Sequence, residues 1–100
     1  MKASPVPPPS AQLFVCVNRR PPDDPLGQGC ADQGEAVYAS LKRAVASSRA
    51  TARLWITRTH CLGVCPKVGA TVARYPSAAL YTEVDSADAA SLLAPLLGPR

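Results

Sequence analysis

Four segments of the chain have the apolar pattern of β-strands. Residues 12–17 are almost continuously apolar, with branched and aromatic members, which is typical of a strand covered on both faces. In residues 52–59, apolar residues alternate with polar or amphipathic ones. Residues 69–75 and 79–84 are predicted as two further short strands, because only a turn of hairpin length separates them.

The first of two helices is predicted between residues 31 and about 48. Its apolar positions recur every four residues, which is the helical period: Val37, Leu41 and Val45. Asp32 followed by Glu35 has the spacing of a capping box, and acidic groups suit a helix N-terminus. The pattern therefore predicts a capped, half-buried helix.

The second helix is predicted near the end of the chain. Ser86 can cap it, and its apolar positions follow helical spacing: Ala89, Leu92, Leu93 and Leu96. Pro95 lacks a backbone donor, so we expect the helix to end or kink near it.

The order strand, helix, strand, strand, strand, helix predicts an α/β protein with a shortened thioredoxin-like fold. It has a mixed sheet of about four strands and two main helices. A right-handed strand-helix-strand crossover makes the first two strands parallel and brings their C-terminal ends to one edge. Residues 12–97 form a single domain in this interpretation. Residues 1–11 are rich in proline and serine and are predicted to be a disordered tail.

Composition and charge narrow the possible functions. No apolar run approaches the roughly 20 residues of a membrane-spanning helix, and no secretory signal is visible, so we expect a cytoplasmic protein with no membrane association. The net charge of +4 comes from 11 basic and 7 acidic residues spread along the chain without a nucleic-acid-binding motif, so we expect no nucleic-acid partner. No Ser/His/acid set, phosphate loop or paired catalytic carboxylates point to an enzyme.

Four cysteines carry the candidate chemistry: Cys16, Cys30, Cys61 and Cys65. In a reducing compartment they are expected to be metal ligands or redox groups rather than structural disulfides. Cys16 lies near the end of the first predicted strand and Cys61 follows the second, so the crossover places both at one end of the sheet. Cys30 lies at the entrance to the first helix, where the helix dipole favours an anionic thiolate or cluster.

The segment from Cys61 to Pro66 is predicted to be a loop around the metal site. Gly63 allows the backbone to approach an inorganic sulfide, while Leu62 and Val64 shield the site from water. The two-residue spacing usual in zinc sites and in thiol-disulfide exchange motifs is missing, although a zinc-stabilised interaction module remains an alternative. A Rieske centre needs two histidines, whereas His60 is the single histidine of the chain.

The chain resembles the thioredoxin-like 2Fe-2S ferredoxins, which include Shethna-type proteins and the related cluster subunit of NADH dehydrogenases. The resemblance covers roughly residues 13–93 and lies in four sequence features: FVCVNRRP at 14–21, Gly29-Cys30, the helix start near Gly34-Glu35, and THCLGVCPKVGATV at 59–72 followed by Tyr75-Pro76. It implies one 2Fe-2S cluster with iron bound by Cys16, Cys30, Cys61 and Cys65. It also implies one-electron transfer and a homodimer built on the sheet.

Two functions are consistent with this resemblance. The first is a ferredoxin that exchanges electrons with redox partner proteins, a reductase or an acceptor enzyme. The alternative is a cluster-bearing protein that binds and protects or regulates an oxygen-sensitive enzyme in a redox-dependent way. Arg19, Arg20 and Lys67 flank the expected ligands, and we expect them to soften the cluster's negative charge and to mark the docking face.

Overall fold

The computed structural model describes residues 1–21, 23–25, 27, 29–60, 62 and 69–96. The regular elements in these ranges are strand β1 (Ala11–Cys16), helix α1 (Ala31–Ser47), strands β2 (Leu54–Thr59), β3 (Ala70–Tyr75) and β4 (Ala79–Val84), a 3-10 turn (Ser86–Asp88) and helix α2 (Ala89–Leu93). Their order is the one predicted from the sequence, and the bounds of the four strands and of α1 agree with the prediction to within two residues.

The four strands form one mixed sheet in the order β2-β1-β3-β4. β1 pairs with β2 in parallel and with β3 antiparallel, and β3 pairs with β4 antiparallel. The parallel pair is the product of the α1 crossover, as predicted. Because β3 runs against β1, the C-terminal ends of β1 and β2 and the start of β3 lie at the same end of the sheet.

One face of the sheet packs against both helices. Leu13 and Val15 of β1 are completely buried, and they belong to a single apolar cluster with Val37 and Leu41 of α1 and Leu93 of α2. Burial of this continuous apolar surface stabilises the fold. The prediction of a mixed α/β sheet with a thioredoxin-like arrangement is confirmed.

The other face of the sheet is less covered than the apolar run in β1 suggested. Gln12 and Phe14 are only half-buried, and Trp55 on β2 is 39% exposed. The expectation that the first strand is covered on both faces is therefore not met within one chain, because both helices pack on the same side.

The predicted capping box at the start of α1 is wrong. Cys30 is the N-cap residue, and no side chain caps the helix. Asp32 already lies inside the first turn, and its carboxylate forms an ion pair with Arg19 instead. Glu35 accepts a hydrogen bond from Arg58 at 2.8 Å. Both acidic groups therefore connect α1 to neighbouring segments.

A capping box does occur before α2, one residue earlier than the predicted cap. Asp85, not Ser86, accepts a hydrogen bond from the backbone N–H of Ala87 at 2.8 Å. Its own backbone N–H donates to the Asp88 carboxylate at 2.9 Å. α2 ends at Leu93, two residues before Pro95, as the missing donor of that proline predicts.

The N-terminal segment lies outside the regular elements. Residues 1–10 form neither a helix nor a strand, and β1 begins at Ala11. The backbone N–H of Ser10 donates to the Arg53 carbonyl at 2.8 Å, which ties the start of the sheet to the chain before β2. Disorder of the tail stays a prediction. None of the described helices is long and apolar enough to cross a membrane.

Replacing Leu41 with alanine tests the core between α1 and the sheet. The Leu41 side chain is fully buried, so we expect its loss to lower the free energy of unfolding by about 2–5 kcal/mol. Urea denaturation followed by circular dichroism measures this change. Arg43→Ala, on the exposed side of the same helix, is the control and should stay within about 0.5 kcal/mol of the parent chain. Equal effects of the two substitutions would contradict the packing.

Candidate metal centre

Cys16 lies at the C-terminal end of β1 and is fully buried. Across the parallel pair its partner is Thr59, and the backbone N–H of Val17 donates to the Thr59 carbonyl at 2.9 Å. The Cys16 thiol donates a hydrogen bond to the carbonyl of His60, with 3.4 Å between Sγ and O. Cys16 is therefore in contact with the residue that immediately precedes Cys61.

Cys30 approaches the same end of the sheet from the start of α1. It is the N-cap residue of that helix and is 1% exposed. The next residue, Ala31, donates its backbone N–H to the carbonyl of Asn18 at 3.0 Å. Cys16 and Cys30 belong to the same buried cluster. The structure thus brings together two cysteines that are 14 positions apart in the sequence.

Cys61 and Cys65 lie outside the described residues, as do Gly63, Val64 and Lys67. The segment that carries both cysteines leaves the sheet after Thr59 and returns at Ala70, and these two positions lie at the end of the sheet where β1 finishes. Leu62, inside this segment, is half-buried and packs against the apolar core. The topology therefore anchors both ends of the segment at the end of the sheet where Cys16 lies. Shielding of the metal site by Leu62 and Val64 stays a prediction.

The described thiols have the chemistry that a thiolate-bound cluster needs. Neither Cys16 nor Cys30 is part of a disulfide within the described residues, and both are buried in apolar surroundings. Among the described residues there is no group of three or more His, Cys, Asp or Glu side chains that could hold a metal ion. The structure therefore places two of the four candidate ligands. The His60 residue is exposed and contributes its carbonyl oxygen to Cys16.

Basic residues near this end of the sheet are engaged with acidic residues of α1. Arg19 pairs with Asp32, and Arg58 donates from Nε to Glu35. The hydrogen bond to Glu35 raises the pKa of Arg58. The Arg58 guanidinium also lies 4.0 Å from the centre of the Tyr38 ring. The charge of Arg19 is already paired with Asp32 of α1. A docking role for Arg19, Arg20 and Lys67 stays a prediction.

Comparison with solved structures connects this geometry with a known group of proteins. The thioredoxin-like 2Fe-2S ferredoxin from Aquifex aeolicus matches with a TM-score of 0.78 and 26% sequence identity, covering 89% of this chain and 86% of that chain. A second structure of the ferredoxin from this organism matches with a TM-score of 0.75 and 26% identity, covering 85% of this chain and 77% of that one. The resemblance to the thioredoxin-like 2Fe-2S ferredoxins is confirmed.

A cysteine-to-serine variant of the Aquifex aeolicus ferredoxin also matches, with a TM-score of 0.77 and 27% identity, covering 87% of this chain and 86% of that chain. A further structure carries a different cysteine-to-serine substitution, and the two substituted positions are four residues apart. Cys61 and Cys65 have the same separation in this chain. Neither models of protein families nor curated proteins give a match.

The sequence did not identify the backbone contacts that hold Cys30 near the end of β1 in this thioredoxin-like fold. The carbonyl of Asn18 accepts the hydrogen bond from Ala31 that attaches the start of α1. A backbone acceptor leaves no signature in the side-chain sequence. Trp55 is partly exposed on the open face of the sheet.

The burial of the two described cysteines predicts their reactivity in the metal-free chain. We expect Cys16 and Cys30 to react with iodoacetamide more than about tenfold more slowly than an exposed thiol, which corresponds to a local opening free energy above about 1.4 kcal/mol. Mass spectrometry of peptides from a Ser47→Cys variant provides the exposed reference in the same molecule. Equally fast labelling of all three positions would show that the cysteines are not buried in the folded chain.

Proposed function

We propose that this chain is a one-electron carrier that binds a 2Fe-2S cluster through Cys16, Cys30, Cys61 and Cys65. The observation that carries the proposal is the contact between the buried Cys16 thiol and the carbonyl of His60, directly before Cys61. Because His60 directly precedes Cys61 in the sequence, this contact supports the proposal that Cys61 joins Cys16 and Cys30 at one site. The similarity to a 2Fe-2S ferredoxin supports the same cofactor.

The residues around Cys16 and Cys30 are suited to hold such a cluster and to limit its access to water. Val15 and Cys16 are completely buried, and Leu62 packs against the same apolar core. Burial and hydrogen bonds to the sulfur ligands are two properties of the protein that set the reduction potential of iron–sulfur clusters. When bound, the cluster supplies the capacity to accept and release an electron, while the chain supplies ligation, shielding and a docking surface.

Cys61 and Cys65 complete the proposed ligand set. Their separation equals that of the two cysteines substituted in the variants of the Aquifex aeolicus ferredoxin, which supports a shared arrangement of this segment. Four thiolates are the usual ligands of a 2Fe-2S cluster. A ligand set of cysteine thiolates is also consistent with the proposed cytoplasmic location, where thiols stay reduced. The proposed partners are redox proteins, a reductase or an acceptor enzyme, and the chain acts as a carrier rather than as an enzyme.

Purification under anaerobic conditions tests the cofactor. We expect a coloured protein with about two iron and about two sulfide ions per chain, and an electron paramagnetic resonance signal after one-electron reduction. Cys61→Ala and Cys65→Ala should each abolish or strongly destabilise the cluster, because each removes a proposed ligand.

His60→Ala is the matched control for these substitutions. The His60 residue is exposed, and the carbonyl that contacts Cys16 remains after the substitution, so we expect the iron and sulfide content to be unchanged. A colourless protein containing zinc would contradict the proposed cofactor. Full retention of the cluster in both cysteine variants would contradict the proposed ligands.

We further propose that two copies of the chain associate through the open face of the sheet. The outward positions of the strands carry uncharged side chains, which include the partly exposed residues Trp55, Tyr75 and Leu80. Phe14 and Tyr75 form an edge-to-face pair on this face, with 5.8 Å between the ring centres. An interface between identical surfaces must be self-complementary, and an uncharged apolar face meets that condition because it brings no like charges together.

Light scattering coupled to size-exclusion chromatography tests this association. We expect a mass near twice that of the 10.4 kDa chain. Leu80→Arg should weaken self-association by at least about tenfold, because it buries an unpaired charge in the interface. Ala46→Arg, on the exposed side of α1, should leave the mass unchanged. A monomeric parent chain, or a Leu80→Arg variant that still dimerises normally, would rule out this interface.

A further inference from the structure

The segment that carries Cys30 lies against the end of β1 through backbone contacts. Ala31 donates its N–H to the carbonyl of Asn18 at 3.0 Å, two residues after β1 ends. Within the first turn of α1, Gly34 donates its N–H to the carbonyl of Cys30 at 2.9 Å. Two glycines, Gly29 and Gly34, are located on either side of this attachment.

Gly34 makes the closer of the two approaches. A Cβ atom on Gly34 would overlap the carbonyl oxygen of Cys16 and would lie 3.0 Å from the Cys16 carbonyl carbon and 3.2 Å from Cα of Val17. All three are backbone atoms, so they cannot rotate away from an added methyl group as a flexible side chain can. The first turn of α1 can therefore lie this close to Cys16 only because Gly34 has no side chain.

The backbone conformation does not explain why position 34 is glycine. Its φ lies outside the left-handed region, and alanine is the better helix former at such a position. Glycine at this buried position in α1 is thus unfavourable for the helix itself. Its benefit is the close approach to the Cys16 carbonyl.

Gly29 makes a second contact of the same kind, one residue before Cys30. Its φ is +81°, and an added Cβ would overlap the carbonyl oxygen of Asn18 and lie 3.1 Å from the carbonyl carbon. Gly29 and Gly34 therefore both allow the backbone on either side of Cys30 to lie against residues 16–18. One contact involves Cys16 itself, and the other involves the residue two positions after it.

We propose that Gly29 and Gly34 are positioning residues that set the separation of Cys16 and Cys30 for a shared iron–sulfur cluster. This inference rests on the proposed function. A side chain at either position displaces the start of α1 from β1 and so moves one ligand relative to the other. The remainder of α1 stays anchored in the core through Val37, Leu41 and Val45.

Gly34→Ala tests this role. We expect the variant to fold and to lose iron to a chelator about tenfold faster than the parent chain, in line with the effect of residues that orient metal ligands. The fraction that retains a cluster should show shifted g values in electron paramagnetic resonance and a shifted reduction potential. Gly29→Ala should change the same quantities in the same direction.

Val45→Ala is the matched control, because it creates a cavity under the same helix away from both cysteines. Val45 is 2% exposed, and its truncation should lower the resistance to urea while leaving the g values, the potential and the rate of iron loss unchanged. Glycine variants that match the parent chain in all three quantities would overturn the proposal. Glycine variants whose metal-free chains no longer fold would also overturn it, since the glycines would then serve the fold alone. A parent chain that binds no iron would instead refute the proposed function.

Discussion

The parallel pairing of β1 with β2 is the constraint on which the rest of the site depends. The register places Cys16 opposite Thr59, so the first strand ends where the second strand releases the segment containing Cys61 and Cys65. A shift of one residue in this pairing would turn the buried side chains of Leu13 and Val15 to the open face, because alternate residues of a strand point to opposite faces. The same apolar packing that fixes the sheet therefore also fixes the position of Cys16.

The start of α1 supplies the second half of the described site. Cys30 does not reach β1 through a long side chain or an ion pair. Its position follows from backbone contacts with residues 16–18, in which Asn18 accepts a hydrogen bond and Gly34 leaves room for the Cys16 carbonyl. Ion pairs of α1 with Arg19 and Arg58 lie on the exposed surface around these contacts. Such exposed pairs contribute little to stability, so the buried backbone packing is the main determinant of this geometry.

The order of the elements, the crossover and the location of Cys16 and Cys30 were predictable from the sequence. Apolar periodicity is a strong signal in α1, where Val37, Leu41 and Val45 lie on one face of the helix. The rule for strand-helix-strand crossovers then predicts that β1 and β2 are parallel. The helix caps were less predictable. Asp32, Glu35 and Ser86 are all residue types that commonly cap helices, and tertiary contacts decide which side chain forms the cap. The openness of one sheet face could not be predicted either, since an apolar run such as that in β1 does not reveal whether a helix or a second chain covers it.

X-ray absorption at the iron edge of the anaerobically purified protein tests the central claim most directly, because it reports the atoms bound to the metal. Convergence of the four cysteines on one centre predicts iron surrounded by sulfur alone, with a second iron as the nearest metal neighbour. Nitrogen or oxygen atoms among the nearest neighbours, or iron with no second iron beside it, would contradict the account.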